Sequence, residues 1–281
     1  MEHIRFIINP KSGQTRKKKV PELIENCLDH SKFTYDIKYT QYRRHAVELT
    51  KEAINDGVQI VCAVGGDGSV HEVGVTLINS GLKLAIIPTG SGNGLARHLK
   101  IPLKIKKSID CLNSNVSAKI DTVSLNNKPF LGVAGMGLDA VIADKFDTHK
   151  TRGFTGYISI VFKEYFKFKP IKVQYTIDDI TRIDELFICS IANSSEFGNG
   201  FKISPKSKIN DGVLELFKLK KVAFLYLPIV AYRFFSKSIH KSKYVDIIPF
   251  KTMTVNCSTE VMHVDGEPIN VKSPLEIKII P

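Results

Sequence analysis

No two cysteines in this chain have the spacing of a metal site or a redox motif. The five (Cys27, Cys62, Cys111, Cys189 and Cys257) are odd in number and scattered. With no CxxC and no Cys/His cluster, neither zinc nor a disulfide framework is indicated, and a reducing cytoplasm is the expected setting. Long apolar runs are missing as well. The longest, Val222 to Phe235, is too short to span a bilayer and contains Pro228. The opening run Ile4 to Ile8 is of strand length and ends at Asn9-Pro10, so it does not read as a signal peptide. There is no internal repeat, no low-complexity stretch, and no helix-turn-helix, zinc or aromatic RNA-binding signature. Acid is in short supply: 28 Asp and Glu stand against 40 Lys and Arg, a net charge of +12. Such an excess favours polyanions. With nucleic acid set aside, nucleotide phosphates, an anionic membrane face, or simply a basic and soluble protein remain.

What the 281 residues do contain is a 43% apolar fraction, enough for a full core, and two glycine-rich segments. Gly65-Gly66-Asp67-Gly68-Ser69 follows the apolar run Val58–Val64, and Pro88-Thr89-Gly90-Ser91-Gly92-Asn93-Gly94 follows Leu84–Ile87. Each precedes a helical pattern, Val70/Val73/Leu77 and Leu95/Leu99. Glycines at a strand-to-helix junction turn tightly and let backbone approach a ligand closely. The N–H groups opening the next helix then suit phosphate. Two such loops on successive strands point to a phosphate-bearing substrate at a sheet edge.

The first ~125 residues alternate strand and helix patterns, implying a parallel sheet covered on both faces, with ligands bound beyond the carboxyl ends of its strands. The expected strands are Ile4–Ile8, Tyr35–Thr40, Val58–Val64 and Leu84–Ile87, with helices near Val20–Asp29 and at His45–Asn55. From Lys119 the texture changes to short strand candidates separated by Asn, Gly, Pro and Asp, which predicts an antiparallel sandwich or barrel. Pro129–Ala134 is expected as one of these strands. Two helices, Phe154–Phe168 and about Val222 to Ile239, are the only expected interruptions. Two domains follow: an α/β nucleotide-binding domain over 1–125 and a β-rich domain over 126–281.

Asp67 has two readings from the residues alone. It faces the phosphates, meeting Mg²⁺ or a hydroxyl nucleophile, or it caps the helix that follows. Asp265-Gly266 is a favoured two-residue hairpin turn, and a hairpin tip also presents a carboxylate well. His71 and His263 adjoin these segments without a ligand cluster, which favours hydrogen bonding over metal ligation.

Taken together, Asn9-Pro10-x-Ser12-Gly13, Gly65 to Ser69 and Pro88 to Asn93 resemble the nucleotide motifs of the lipid kinase family. That family holds diacylglycerol kinase catalytic domains, sphingosine and ceramide kinases and small bacterial lipid kinases. Asn210-Asp211-Gly212 and Val264-Asp265-Gly266-Glu267-Pro268 extend the resemblance over essentially the whole chain. The GGDG segment alone is shared with NAD kinases and phosphofructokinases, whose α/β fold the first domain is expected to resemble. The resemblance implies transfer of the γ-phosphate of ATP to a lipid hydroxyl. It implies that Asn9, Pro10, Lys11, Ser12, Gly13, Thr40, Gly65, Gly66, Gly68, Ser69, Glu72 and Thr89 hold ATP. It implies that Asp211 binds Mg²⁺ with main-chain carbonyls near Lys208 and Val213. Asp67, Asp265 and Glu267 are implied at the catalytic centre, with Glu267 accepting the proton of the attacking hydroxyl.

Gly94 stands where bacterial diacylglycerol kinases carry Asp, and Gly92 to Ala96 resembles the sphingoid-base branch instead. Asp139 matches the position where sphingosine kinases place an acid for the lipid amine, although a solvated or helix-capping role is equally open. Gly94 and Asp139 tilt the expected acceptor toward a sphingoid base, with diacylglycerol remaining as the other acceptor. The aromatic stretches Phe154–Phe168 and Val222–Phe235, flanked by Lys and Arg, read either as an interfacial surface for an anionic membrane or as core helices with a basic edge. The run Arg16-Lys17-Lys18-Lys19 reads as a solvated helix face. The expected partners are a lipid substrate and a membrane surface, with peripheral attachment and no nucleic acid; a homodimer is left open. The rival readings are a soluble-substrate kinase of the NAD kinase type and a non-catalytic lipid-binding or regulatory protein that retains the fold.

Overall fold

The computed structural model describes residues 1–11, 19–148 and 154–280. They form two compact units, Met1–Lys119 and Ile120–Pro281. The division falls a few residues before the sequence-based one at 125/126. Thr122–Leu125 pairs with the C-terminal strand and so belongs to the second unit.

The first unit runs β1 (Glu2–Ile8), α1 (Val20–Cys27), β2 (Phe33–Tyr39), α2 (His45–Asn55), β3 (Ile60–Gly65), α3 (Asp67–Leu77), β4 (Lys83–Pro88), α4 (Gly94–His98) and α5 (Ile105–Asn113). Its four strands are all parallel in the order β2-β1-β3-β4. Parallel strands joined by helices are buried on both faces, which explains why β3 is apolar at consecutive positions and wholly buried. Val20, Ile24 and Ile109 of α1 and α5 pack on Ile4, Phe6, Ile8, Cys62 and Val64. Helix α5 is not among the expected helices. Arg5 on β1 stands directly opposite Asp36 on β2, bonds it at 2.6 Å and reaches Asp56 at 2.7 Å. A buried cation is thereby neutralised from two sides.

The second unit contains β5 (Thr122–Leu125), β6 (Lys128–Phe130), β7 (Val133–Gly137), α6 (Leu138–Thr148), α7 (Phe154–Lys167), β8 (Ile171–Ile177), β9 (Ile180–Leu186) and β10 (Ile188–Ala192). It continues with β11 (Leu214–Leu219), α8 (Leu227–Phe235), β12 (Val245–Phe250), β13 (Thr252–Cys257), β14 (Val261–Val264), β15 (Glu267–Asn270) and β16 (Leu275–Ile280). Two six-stranded antiparallel sheets, β12-β11-β10-β7-β14-β15 and β6-β5-β16-β13-β8-β9, face each other. Ala134, Met136, Ile191 and Leu216 of one meet Val123, Tyr175, Val255 and Ile277 of the other in the sandwich core. The outer face of the first sheet packs against α6, α7 and α8 through Leu138, Ile142, Ile160, Val230 and Phe234.

Other details depart from the sequence reading as well. Pro129–Ala134 is two strands rather than one, because the backbone at 131–133 turns its N–H groups onto Asp265. A third helix, α6, begins directly after Gly137, whose φ of 106° lets β7 swing into it. The helix expected from Val222 starts at Leu227, with Pro228 in its first turn. No helix among the described residues is long and apolar enough to cross a membrane.

One polar group sits between the sheets. Lys218 on β11 is buried, and its Nζ donates to Asp184 at 2.8 Å and to the Tyr175 hydroxyl at 2.8 Å. Burial opposes the charge on Lys218, but bonds to Asp184 and Tyr175 outweigh it and hold its pKa above the ordinary 10.5. Burial likewise works against Asp184, and Lys218 and Tyr175 more than offset it, so its pKa lies below 3.8. The stabilisation from Lys218 is therefore complete below pH 10.5 and lost as pH rises through its raised pKa. That from Asp184 is present above pH 3.8 and lost as pH falls through its lowered one. Lys218→Met should cost about 2–3 kcal/mol at pH 7, since Asp184 and Tyr175 keep their burial without a cation. Chemical denaturation of variant and parent at pH 7 checks this, and equal midpoints would contradict it.

Candidate functional site

In the first unit the connections after β1, β2, β3 and β4 emerge at the same edge of the sheet, because all four strands run in one direction. Side chains then tie these connections to one another. After β1, the Asn9 side-chain amide donates to Ser69 Oγ at 3.3 Å, while its oxygen accepts the Lys11 N–H at 2.9 Å. Pro10 and Lys11 are exposed there. Ser12, Gly13 and residues 16–18 of the basic run lie outside the described residues. After β2, Thr40 is buried and donates its N–H to Ile8. Arg44, held at a φ of 68°, donates its N–H to Glu72 on α3 at 3.2 Å.

The two glycine loops are in direct contact. A Cβ added to Gly90 would lie 2.5 Å from Gly66 Cα and 2.9 Å from Asn93 Oδ1, so the backbones meet where only glycine fits. A Cβ on Gly65 would collide with the Ser69 side chain. The Thr89 N–H donates to Gly65 O at 2.8 Å. Asp67 at the start of α3 completes the junction: its carboxylate accepts the N–H groups of Asn93 at 2.8 Å and Gly94 at 2.6 Å. The helix opening that this carboxylate holds is that of α4. Asn93, with φ 54°, closes the second loop through paired bonds with Gly90, and Arg97 Nε donates to Gly92 O at 2.9 Å. Gly68 follows in the first turn of α3, the position whose N–H has no partner within its own helix.

The second unit carries the other expected residues in three places. Asp265 and Gly266, with φ of 49° and 86°, form the two-residue turn between β14 and β15, and Glu267 opens β15 opposite Val264. The Asp265 carboxylate accepts three backbone N–H groups, from Leu131 at 3.0 Å, Gly132 at 2.7 Å and Val133 at 3.1 Å. It thus locks the hairpin tip onto the β6–β7 connection. Glu267 is partly exposed.

Asp139, in the first turn of α6, is buried. Its Oδ2 accepts the Ser190 hydroxyl at 2.8 Å and lies 3.3 Å from His263 Nε2. A solvated Asp139, one of the sequence alternatives, is therefore excluded, and His263 is hydrogen-bonded as expected.

Asp211, in the turn before β11, is exposed and accepts the Val213 N–H at 3.2 Å. Lys208 is exposed in the same loop. Neighbouring Glu215 has its pKa pushed up to about 7 by burial, which a bond from Ser207 reduces and the charge of Asp211 increases. The described residues contain no group of three or more His, Cys, Asp or Glu arranged to hold a metal.

Residues 3–125 match the family model described as the diacylglycerol kinase catalytic domain, and residues 132–281 match the YegS C-terminal NAD kinase beta sandwich-like domain. The chain belongs to the diacylglycerol kinase-type lipid kinase family. A Shewanella frigidimarina protein described as "Probable lipid kinase YegS-like" is 24% identical over 100% of this chain and 92% of its own length. The diacylglycerol kinase of Bacillus subtilis is 28% identical over 79% of this chain and 75% of its own. The crystal structure of a diacylglycerol kinase from Bacillus anthracis shares the fold, with a TM-score of 0.74 at 20% identity over 99% of this chain and 94% of that one. Family membership makes this lipid kinase homologue a phosphotransferase with ATP as the implied donor.

Sequence reading of this lipid kinase homologue placed Asn93 in the second motif but not as the residue that closes its loop, and it did not reach Gly132, which donates to Asp265 at 2.7 Å, or Ser190, which holds Asp139. Asn after Ser-Gly, with its tolerance of positive φ, was a legible signal for the first. Gly132 and Ser190 carried none, since their partners are remote in sequence.

Proposed function

We propose that this protein transfers the γ-phosphate of ATP to the hydroxyl of a membrane lipid, with Mg²⁺ as cofactor. The observation that carries the reading is the joining of the glycine loops at the carboxyl edge of the parallel sheet. Gly66 and Gly90 touch, and Asp67 bridges from one loop to the other. Such a junction holds backbone N–H groups at fixed positions for phosphate oxygens, and phosphoryl transfer depends mainly on this kind of positioning and charge neutralisation. Asn9, Thr40, Ser69, Glu72 and Thr89 border the same edge and complete the ATP site. Asp67 serves it as the residue that aligns the loops.

Asp211, with the carbonyls of Lys208 and Val213, offers hard oxygen donors on a tight turn, the chemistry that Mg²⁺ takes. When bound, the ion supplies positive charge against the phosphates. Glu267 is the proton acceptor for the attacking hydroxyl, and Asp265 holds the hairpin that carries it. Diacylglycerol is favoured over a sphingoid base, because the Asp139 carboxylate that would pair with an amine is already bonded to Ser190 and His263.

An anionic bilayer is the surface on which such an enzyme meets its acceptor. Phe162, Phe166, Phe224, Leu225, Ile229 and Tyr232 of the α7 and α8 region are exposed, and Phe166 and Phe224 lie 5.8 Å apart. No acid occurs between Leu216 and Val245, whereas Lys220, Lys221, Arg233, Lys237, Lys241 and Lys243 do. Exposed aromatics beside a cationic segment suit the headgroup region. Purified protein given ATP, Mg²⁺ and vesicles containing diacylglycerol or sphingosine, with NAD in parallel, tests the reading. Phosphatidic acid is the expected product, and phosphorylation of NAD alone would overturn it.

A further inference from the structure

Asp139, Ser190 and His263 form a buried polar cluster under α6, and its place in the sheet gives it a use. All three side chains are more than nine-tenths buried. Gly135 on β7 pairs with both Ser190 and His263 and leaves the space they occupy. A Cβ there would come within 2.7 Å of His263 Nε2 and would strike the Asp139 carboxylate. One carboxylate on α6 thereby fastens β10 and β14 beside β7.

His263 is on the strand that leads into Asp265-Gly266-Glu267. That strand and its partner have four residues each, and β15 is the edge of its sheet, paired on one side only. A short hairpin with a free edge is weakly held by itself. Besides the ladder of β14 on β7, side chains fasten it at two places: at the tip by Asp265 on the amides of residues 131–133, and along β14 by His263 on Asp139. The second fastening also selects register. A slip of one residue would turn His263 into the sandwich core and set an apolar neighbour against the Asp139 carboxylate.

We infer that Asp139, acting through His263, is a positioning residue for Glu267. The inference rests on the kinase reading for the role of Glu267, but the hold on the hairpin is a separate physical claim. Asp139 keeps β14 in register, so the Glu267 carboxylate returns to one place for each proton transfer.

The test is a double-mutant cycle of Asp139→Ala and His263→Ala, with Asp139→Asn as a variant of unchanged shape that guards against simple misfolding. Each alanine variant should lower kcat about 10- to 100-fold while the lipid KM stays within about twofold, as expected for a misplaced group. The double variant should be no worse than the poorer single one, because both act through one contact. Asp139→Asn keeps an acceptor for Ser190 and should recover part of kcat. Hydrogen exchange at the amides of residues 264–267 should quicken in both alanine variants. A raised lipid KM with normal kcat in Asp139→Ala, together with a normal His263→Ala, would overturn the inference and make Asp139 a lipid contact. Unchanged hairpin exchange would overturn it too. If the parent phosphorylates no lipid, the kinase reading fails, and exchange alone still decides whether Asp139 holds the hairpin.

Discussion

Gly90→Ala should abolish phosphoryl transfer while leaving both units folded. The added methyl would stand 2.5 Å from Gly66 Cα, a backbone atom that cannot swing aside as a side chain would. Relief requires the two loops to separate. Separation draws Asn93 and Gly94 away from Asp67, which now accepts both of their N–H groups. The phosphate-holding amides then lose their mutual alignment, and displacements near 1 Å already cost about 100-fold in rate. The loss is therefore expected in ATP binding as well as in kcat. The sheet beneath is unaffected, since the β3–β4 ladder runs from Ile60 to Gly65 and lies before either loop contact. Calorimetric titration with ATP and a far-UV spectrum check the two halves of this expectation. Tight ATP binding by a folded Gly90→Ala variant would show that the loop contact is dispensable.

The second large effect is expected at Glu267. Glu267→Gln keeps size and hydrogen-bonding capacity but removes the ability to take a proton. General-base catalysis is worth about 10²- to 10⁴-fold, so kcat should fall by that factor with little change in the KM for ATP. Asp265→Asn should behave differently. It weakens three backbone bonds at the hairpin tip and should lower the melting temperature as well as the rate. A parent-like kcat for Glu267→Gln would remove this residue from proton transfer.

The sequence was most informative where chemistry is local. Glycines bracketing Asp67 and Asn93 predicted strand-to-helix turns, and consecutive apolar residues at 60–64 predicted a strand buried on both faces. Asp265-Gly266 predicted the hairpin that is found. Other features depend on contacts that no local pattern encodes. Asp67 reaches Asn93 and Gly94 across the whole of α3 and β4. Asp139 meets His263 from the far side of the second unit's sequence. Strand β9 was overlooked because an edge strand facing water on most positions carries Thr, Arg, Asp and Glu, which disguise its alternation. Helix α6 was overlooked for the opposite reason. It is short of polar residues in its first turns, being packed onto the sheet, and reads as a continuation of β7. Electrostatics divides in the same way: the excess of Lys and Arg is plain from counting, whereas the pairing that buries Lys218 with Asp184 is not.

The measurement that bears most directly on the account follows the phosphate itself. Purified protein is incubated with Mg²⁺, diacylglycerol-containing anionic vesicles and ATP labelled at either the γ- or the α-phosphate, and the solvent-extracted lipid is analysed. The account predicts label in a lipid monophosphate from γ-labelled ATP and none from α-labelled ATP, with the signal lost in Glu267→Gln. Label confined to inorganic phosphate or to a soluble acceptor would contradict it.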